Sequence, residues 1–136
     1  MPEPWHFLLV DDDVNKRLLI AHYVVRSFPA ASLFECGSGA EAIDYLEHNR
    51  VSAVLTDHSM HPVNGIELLR WARRKFPELP MLMVTGHPEI EPEALAAGAT
   101  LVISFGRFAE IGQILARLLG PEPDAGGASK PATRPA

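Results

Sequence analysis

Ala53-Val-Leu-Thr-Asp57-His-Ser-Met60-His-Pro-Val-Asn-Gly65 is the stretch whose reading decides the fold. Its first residues form a short apolar run of the kind that suits a strand buried on both faces. The run stops at Asp57, after which His58, Ser59, His61, Pro62, Asn64 and Gly65 supply loop and turn chemistry. A carboxylate at the C-terminal end of a buried strand is costly unless a positive charge or a metal meets it. The same arrangement occurs earlier, where Phe7-Leu-Leu-Val10 runs into Asp11-Asp-Asp13. Two strands that each end in carboxylates gather negative charge at one edge of a sheet, and function is expected there.

Working outward, His6 to Val10 reads as the first strand. A helix follows, capped by Asp13 and stopped by Pro29, with Val14, Leu18, Ala21, Val25 and Phe28 at helical spacing. Ser32 to Cys36 reads as a second strand. Ser38 and Glu41 have the capping-box spacing and open a helix through about Glu47. Beyond the third strand, Asn64 caps a helix with Ile66, Leu69, Ala72 (or Arg73) and Phe76 inward and Arg70, Arg73, Arg74 and Lys75 on its wet face. Met81 to Thr85 is a fourth strand, Glu91 to Ala97 a short helix ended by Gly98, and Leu101 to Ile103 a fifth strand. Phe108 to Leu119 makes a last helix with Gly120 past its end.

Strand and helix thus alternate five times, with apolar runs inside the strands. That pattern predicts an α/β fold, a doubly wound five-stranded parallel sheet of the flavodoxin-like order 2-1-3-4-5. In that order the first and third strands are neighbours, which brings Asp11, Asp12 and Asp57 together. Residues 1–120 are expected to form one domain, and residues 121–136 a disordered tail rich in Pro, Gly and Ala.

Composition narrows the function. A chain of 136 residues, 47% hydrophobic and 21% charged, is that of an ordinary soluble domain. A net charge of −5 without a basic stripe argues against nucleic acid as a partner. The single Cys36 excludes a disulfide framework and suits a reducing, cytoplasmic compartment. No apolar run approaches the roughly 20 residues needed to cross a bilayer, so no membrane association is expected.

Several carboxylates converging at strand ends do not all ionise comfortably without a cation. Oxygen-only ligands favour a hard ion, and Mg²⁺ fits a site that keeps waters and a place for a phosphoryl oxygen. A carboxylate beside Mg²⁺ can itself act as a nucleophile and form an aspartyl-phosphate. Thr85 offers a hydroxyl at the same edge, and Gly86 leaves its backbone N–H approachable. His58, His61 and His87 invite a zinc reading, but loop histidines beside acids are more simply solvated or paired with one.

Leu8-Leu-Val-Asp-Asp-Asp13, Leu55-Thr-Asp57 with Met60 and Gly65, Val84-Thr-Gly-His87 and Ala97-Gly-Ala99 together resemble the receiver domain of bacterial two-component response regulators. The likeness covers roughly Phe7 to Leu119. It implies that Asp57 is the phospho-acceptor, that Asp12 ligates Mg²⁺ directly and Asp11 mainly through water, and that the Ser59 carbonyl completes the protein ligands. Thr85 would hydrogen-bond the phosphoryl group. The implied donor is a sensor histidine kinase or a phosphotransfer protein, and the fourth helix, fifth strand and fifth helix would face an unknown downstream protein. The implied function is a single-domain regulator that signals by protein–protein binding and is not an enzyme beyond its own phosphorylation and dephosphorylation. The chain departs from the family at three places: the aromatic switch position in the fifth strand falls on Val102, the Pro that usually follows Met60 directly is delayed to Pro62 by His61, and the end of the fifth strand is altered. The usual Lys at the end of the fifth strand is absent, with Phe105, Gly106 and Arg107 there instead, and the chain's lysines are Lys16, Lys75 and Lys130. Arg107, offset by two residues, is a candidate stand-in, since guanidinium binds phosphate bidentately. The competing reading is a pseudo-receiver, an interaction module independent of phosphorylation.

Overall fold

The computed structural model describes residues 3–123. Five strands form one parallel sheet: β1 (His6–Val10), β2 (Ser32–Cys36), β3 (Ala53–Thr56), β4 (Met81–Thr85) and β5 (Leu101–Ser104). Their order is β2-β1-β3-β4-β5, as the alternation of apolar runs and helical stretches requires. The register pairs Val10 with Thr56, Thr56 with Met83 and Thr85 with Ser104. The C-terminal ends of four strands therefore lie side by side.

The helices are α1 (Val14–Ser27), α2 (Gly39–His48), α3 (Gly65–Lys75), α4 (Glu91–Ala97) and α5 (Ile111–Leu119). Alternate strand residues serve opposite faces. Leu8, Val54, Met81 and Met83 pack with Leu46 of α2, Ile66 and Leu69 of α3 and Ala94 of α4. Phe7, Leu9, Leu55 and Leu82 pack with Ile20 and Val24 of α1 and Ile111 and Leu115 of α5. Both faces of β1, β3 and β4 are thus covered, which is why those strands are apolar throughout.

Helix starts follow local chemistry. The Asp13 carboxylate accepts from the Asn15 and Lys16 amides, and Asn64 with Glu67 forms a reciprocal capping box at α3. Ser38 caps α2, whereas Glu41 reaches one residue further back than a capping box requires and accepts from the Gly37 N–H.

Three expectations are corrected. Of the residues at helical spacing in α1, Ala21 and Phe28 are buried but Val14, Leu18 and Val25 are 53%, 56% and 42% exposed, and Ile20, Ala21 and Val24 make the inward stripe. An aliphatic stripe chosen by spacing alone had two solutions there, and packing against α5 selected the other. The last helix opens with a 3₁₀ segment over Phe105–Glu110 before α5 proper begins at Ile111. Arg73 is not on the wet face of α3: its guanidinium donates to the carbonyls of Gly98, Phe76 and Pro77, clasping α3 to the turn after α4. Of the expected tail, residues 124–136 lie outside the described residues, and Glu122 accepts a hydrogen bond from the Ala30 N–H.

Candidate functional site

The site is built where β1 and β3 end. The Asp57 N–H donates to the Val10 carbonyl and the Asp11 N–H to the Cys36 carbonyl, so sheet hydrogen bonding carries both carboxylates to one edge. Asp11 and Asp57 are only 2% and 5% exposed, while Asp12 is exposed. One carboxylate oxygen from each of Asp11, Asp12 and Asp57 lies within 4.8 Å of the others.

The loop after Asp57 is pinched back on itself, with the Met60 and Gly65 amides both donating to the His58 carbonyl. A side chain at Gly65 would collide with the Asp57 carbonyl and crowd Met83, so α3 starts where only glycine allows such an approach. Ser59 lies in this loop, exposed. Thr85 is fully buried at the end of β4, and its hydroxyl oxygen accepts from the His87 N–H at 3.0 Å. Gly86 beside it is exposed, with open space around it.

One expected participant stands elsewhere, and the loop histidines stay out of the cluster. Arg107 is turned outward and pairs with Glu110 at 2.7 Å, away from the carboxylates. His87 pairs with Glu89 in solvent, and among the described residues no histidine joins the acidic cluster.

The cation that does reach the cluster is Lys16, from the first turn of α1. Its Nζ lies 3.3 Å from Asp57 Oδ2 and 3.6 Å from Asp11 Oδ2, and 5.1 Å from the centre of the Phe105 ring. Burial opposes its charge, but Asp57 and Asp11 outweigh burial and hold its pKa above the ordinary lysine value. Sequence spacing does not single out this residue, because spacing alone does not decide which stripe of α1 faces the sheet. Lys16, Ile20 and Val24 are four residues apart along the true inner face, and helical side chains lean towards the N-terminus, here towards the strand ends. A lysine continuing the inward stripe is the signal that could have found it.

Burial raises the Asp11 pKa, opposed by the hydrogen bond from the Asp13 N–H and reinforced by the charge on Asp57. Asp11 Oδ2 is buried without a hydrogen-bond partner, since Lys16 at 3.6 Å is an ion-pair neighbour only. An orphaned carboxylate oxygen amid an all-oxygen donor set fits a hard divalent cation such as Mg²⁺.

A doubly wound sheet of this order, with an acidic cluster at its carboxyl edge, defines the CheY-like flavodoxin class of fold. The chain belongs to the response regulator receiver domain family, whose model matches residues 7–104. It is 33% identical over 94 residues to the transcriptional activator protein ExaE of Pseudomonas putida, a match covering 68% of this chain and 44% of that one. The chain thus spans less than half the length of that relative. Among solved structures it is similar to a LuxR-family two-component response regulator from Aurantimonas (TM-score 0.76, 25% identity, 92% and 94% of the two chains). It also shares the fold of the response regulator TrrA from Thermotoga maritima, solved in complex with Mg²⁺-BeF (TM-score 0.73, 20% identity, 85% and 99% covered).

Proposed function

We propose that Asp57 accepts a phosphoryl group from a phosphohistidine on a sensor histidine kinase or phosphotransfer protein, and that the modified domain signals by binding another protein. The observation that carries this reading is the buried Asp57 carboxylate at the end of β3, with oxygens of Asp11 and Asp12 within 4.8 Å. An Asp57 oxygen forms the new O–P bond as the donor's N–P bond breaks, and the departing imidazole nitrogen keeps the electron pair and takes up a proton. Asp11, Asp12, Asp57 and the Ser59 carbonyl would hold Mg²⁺, which supplies charge neutralisation at the transferring phosphoryl oxygens when bound. The TrrA structure with Mg²⁺-BeF supports that assignment by analogy of fold. Burial of Asp57 limits the access of bulk water to the nucleophile, and the Thr85 hydroxyl and Gly86 N–H would meet phosphoryl oxygens. The downstream partner would meet the surface of α4, β5 and α5.

Incubation with acetyl phosphate or phosphoramidate and Mg²⁺ should add one phosphoryl group, seen by intact mass, and Asp57→Asn should abolish it. Labelling that persists in Asp57→Asn would move the acceptor elsewhere. No adduct at all would favour an interaction module that works without phosphorylation.

A further inference from the structure

The end of β5 carries Ser104, Phe105 and Gly106, none of which bears a charge, yet Asp57 has an ammonium 3.3 Å away. We infer that Lys16 is the cation that receives the phosphoryl group in this chain, reaching it from the first turn of α1. The inference rests on the phospho-acceptor reading of Asp57 and names the residue that completes that site.

Three observations carry it. First, Lys16 Nζ is the cationic group paired with Asp57 and Asp11 among the described residues. The other candidates are committed elsewhere: Arg17 donates to the Asp11 carbonyl and pairs with Glu35, and Arg107 pairs with Glu110. Second, transfer places on an Asp57 oxygen a group of about −1.5 to −2 charges, whose oxygens then face the cation already seated beside that carboxylate. An ammonium offers three donors on a flexible stem, so Lys16 can follow the charge from the carboxylate to the phosphoryl oxygens without moving α1. Third, Nζ sits over the ring of Phe105, which packs on Phe108, and Phe108 packs on Tyr23 of α1. The cation therefore lies between the acceptor and the 3₁₀ segment that leads into α5. A pull on Lys16 is felt at Phe105, although no charge comes from β5 itself.

The test is calorimetric titration of the whole protein with Mg²⁺, and then with beryllofluoride at saturating Mg²⁺, for wild type, Lys16→Met, Lys16→Arg and Arg107→Ala. Lys16→Met keeps a stem over Phe105 and removes the charge. It should bind Mg²⁺ at least as tightly as wild type, because a competing cation is gone. Its beryllofluoride affinity should fall at least about tenfold, the scale of one lost charge-assisted hydrogen bond. Lys16→Arg should recover most of that loss and Arg107→Ala should match wild type. Unchanged beryllofluoride affinity in Lys16→Met overturns the inference, as does a loss reproduced by Arg107→Ala. A parallel loss of Mg²⁺ binding in Lys16→Met also overturns it, since Lys16 would then only hold the acids together. Should Lys16→Met fail to fold, the Lys16 ammonium resonance of wild type decides. Its protons should become protected from exchange when beryllofluoride binds, and an unshifted, fast-exchanging signal counts against the role. A wild type that takes neither beryllofluoride nor a label at Asp57 fails the phospho-acceptor reading itself, a result distinct from failure at Lys16 alone.

Discussion

Burial holds the Asp11 carboxyl above its ordinary pKa of 3.8; the Asp13 N–H opposes that rise and the Asp57 charge adds to it. A carboxyl whose folded pKa is raised stabilises the fold fully below its unfolded value, and that contribution is lost as pH climbs through the folded one. With divalent ions removed, the melting temperature should carry a component that declines as pH rises from about 4, and Asp11→Asn should flatten it. Mg²⁺ should reverse the slope, because its ligands bind when deprotonated. At about a hundred times its dissociation constant it should add about 2.7 kcal/mol of stability near neutral pH. Thermal melts with chelator and with Mg²⁺ across pH 4 to 8 check both signs, and a pH-independent Mg²⁺ effect would contradict them. Cys36 is a second residue governed by burial, its thiol pushed up to about 12. It should resist thiol reagents at pH 8 in the folded protein and react promptly in denaturant, because the thiolate is the reactive form.

At the scale of elements, the acidic loop depends on how α3 begins. Asn64 and Glu67 satisfy each other's backbone donors, and Gly65 admits the Asp57 carbonyl against the helix. Asn64→Ala should cost about 1 kcal/mol by denaturant unfolding. Gly65→Ala should cost about 1–3 kcal/mol through overpacking, and its labelling by a small phosphodonor should fall more than that of Asn64→Ala. Equal labelling of the two variants would show that the close approach at Gly65 does not position the acceptor. The α1 stripe makes a related point. Leu18 is exposed and Ile20 buried, so Ile20→Ala should destabilise the protein by about 2–5 kcal/mol while Leu18→Ala leaves it nearly unchanged.

For the whole molecule, the two cores lie on opposite faces of the sheet, and β3 at its centre serves both: Val54 faces the α2–α3–α4 side and Leu55 the α1–α5 side. Leu55 is also two residues from Asp57, so stability and chemistry share one strand. Leu55→Ala should therefore cost about 2–5 kcal/mol and slow labelling of the folded fraction. Asp57→Asn should stop labelling without such a penalty. Labelling of Leu55→Ala at the wild-type rate would show that the acceptor tolerates a loosened central strand.

The sheet order and the meeting of Asp11, Asp12 and Asp57 were legible in the chain itself. Parallel strands buried on both faces announce themselves as unbroken apolar runs, and a carboxylate ending such a run stands out against them. Helix caps were legible for the same reason, since Asp13, Ser38 and Asn64 act on amides two or three residues away. The fifth strand's missing lysine was equally plain. Its remedy was not: Arg107 was drawn to Glu110 three residues on, and Arg73 to the carbonyls at the end of α3 and at Gly98. Which stripe of α1 faced inward depended on α5, more than 80 positions away in the chain, and that choice carried Lys16 to the acidic edge. A long, flexible cation finds its partners by where its helix is packed, and tertiary packing alone set that position.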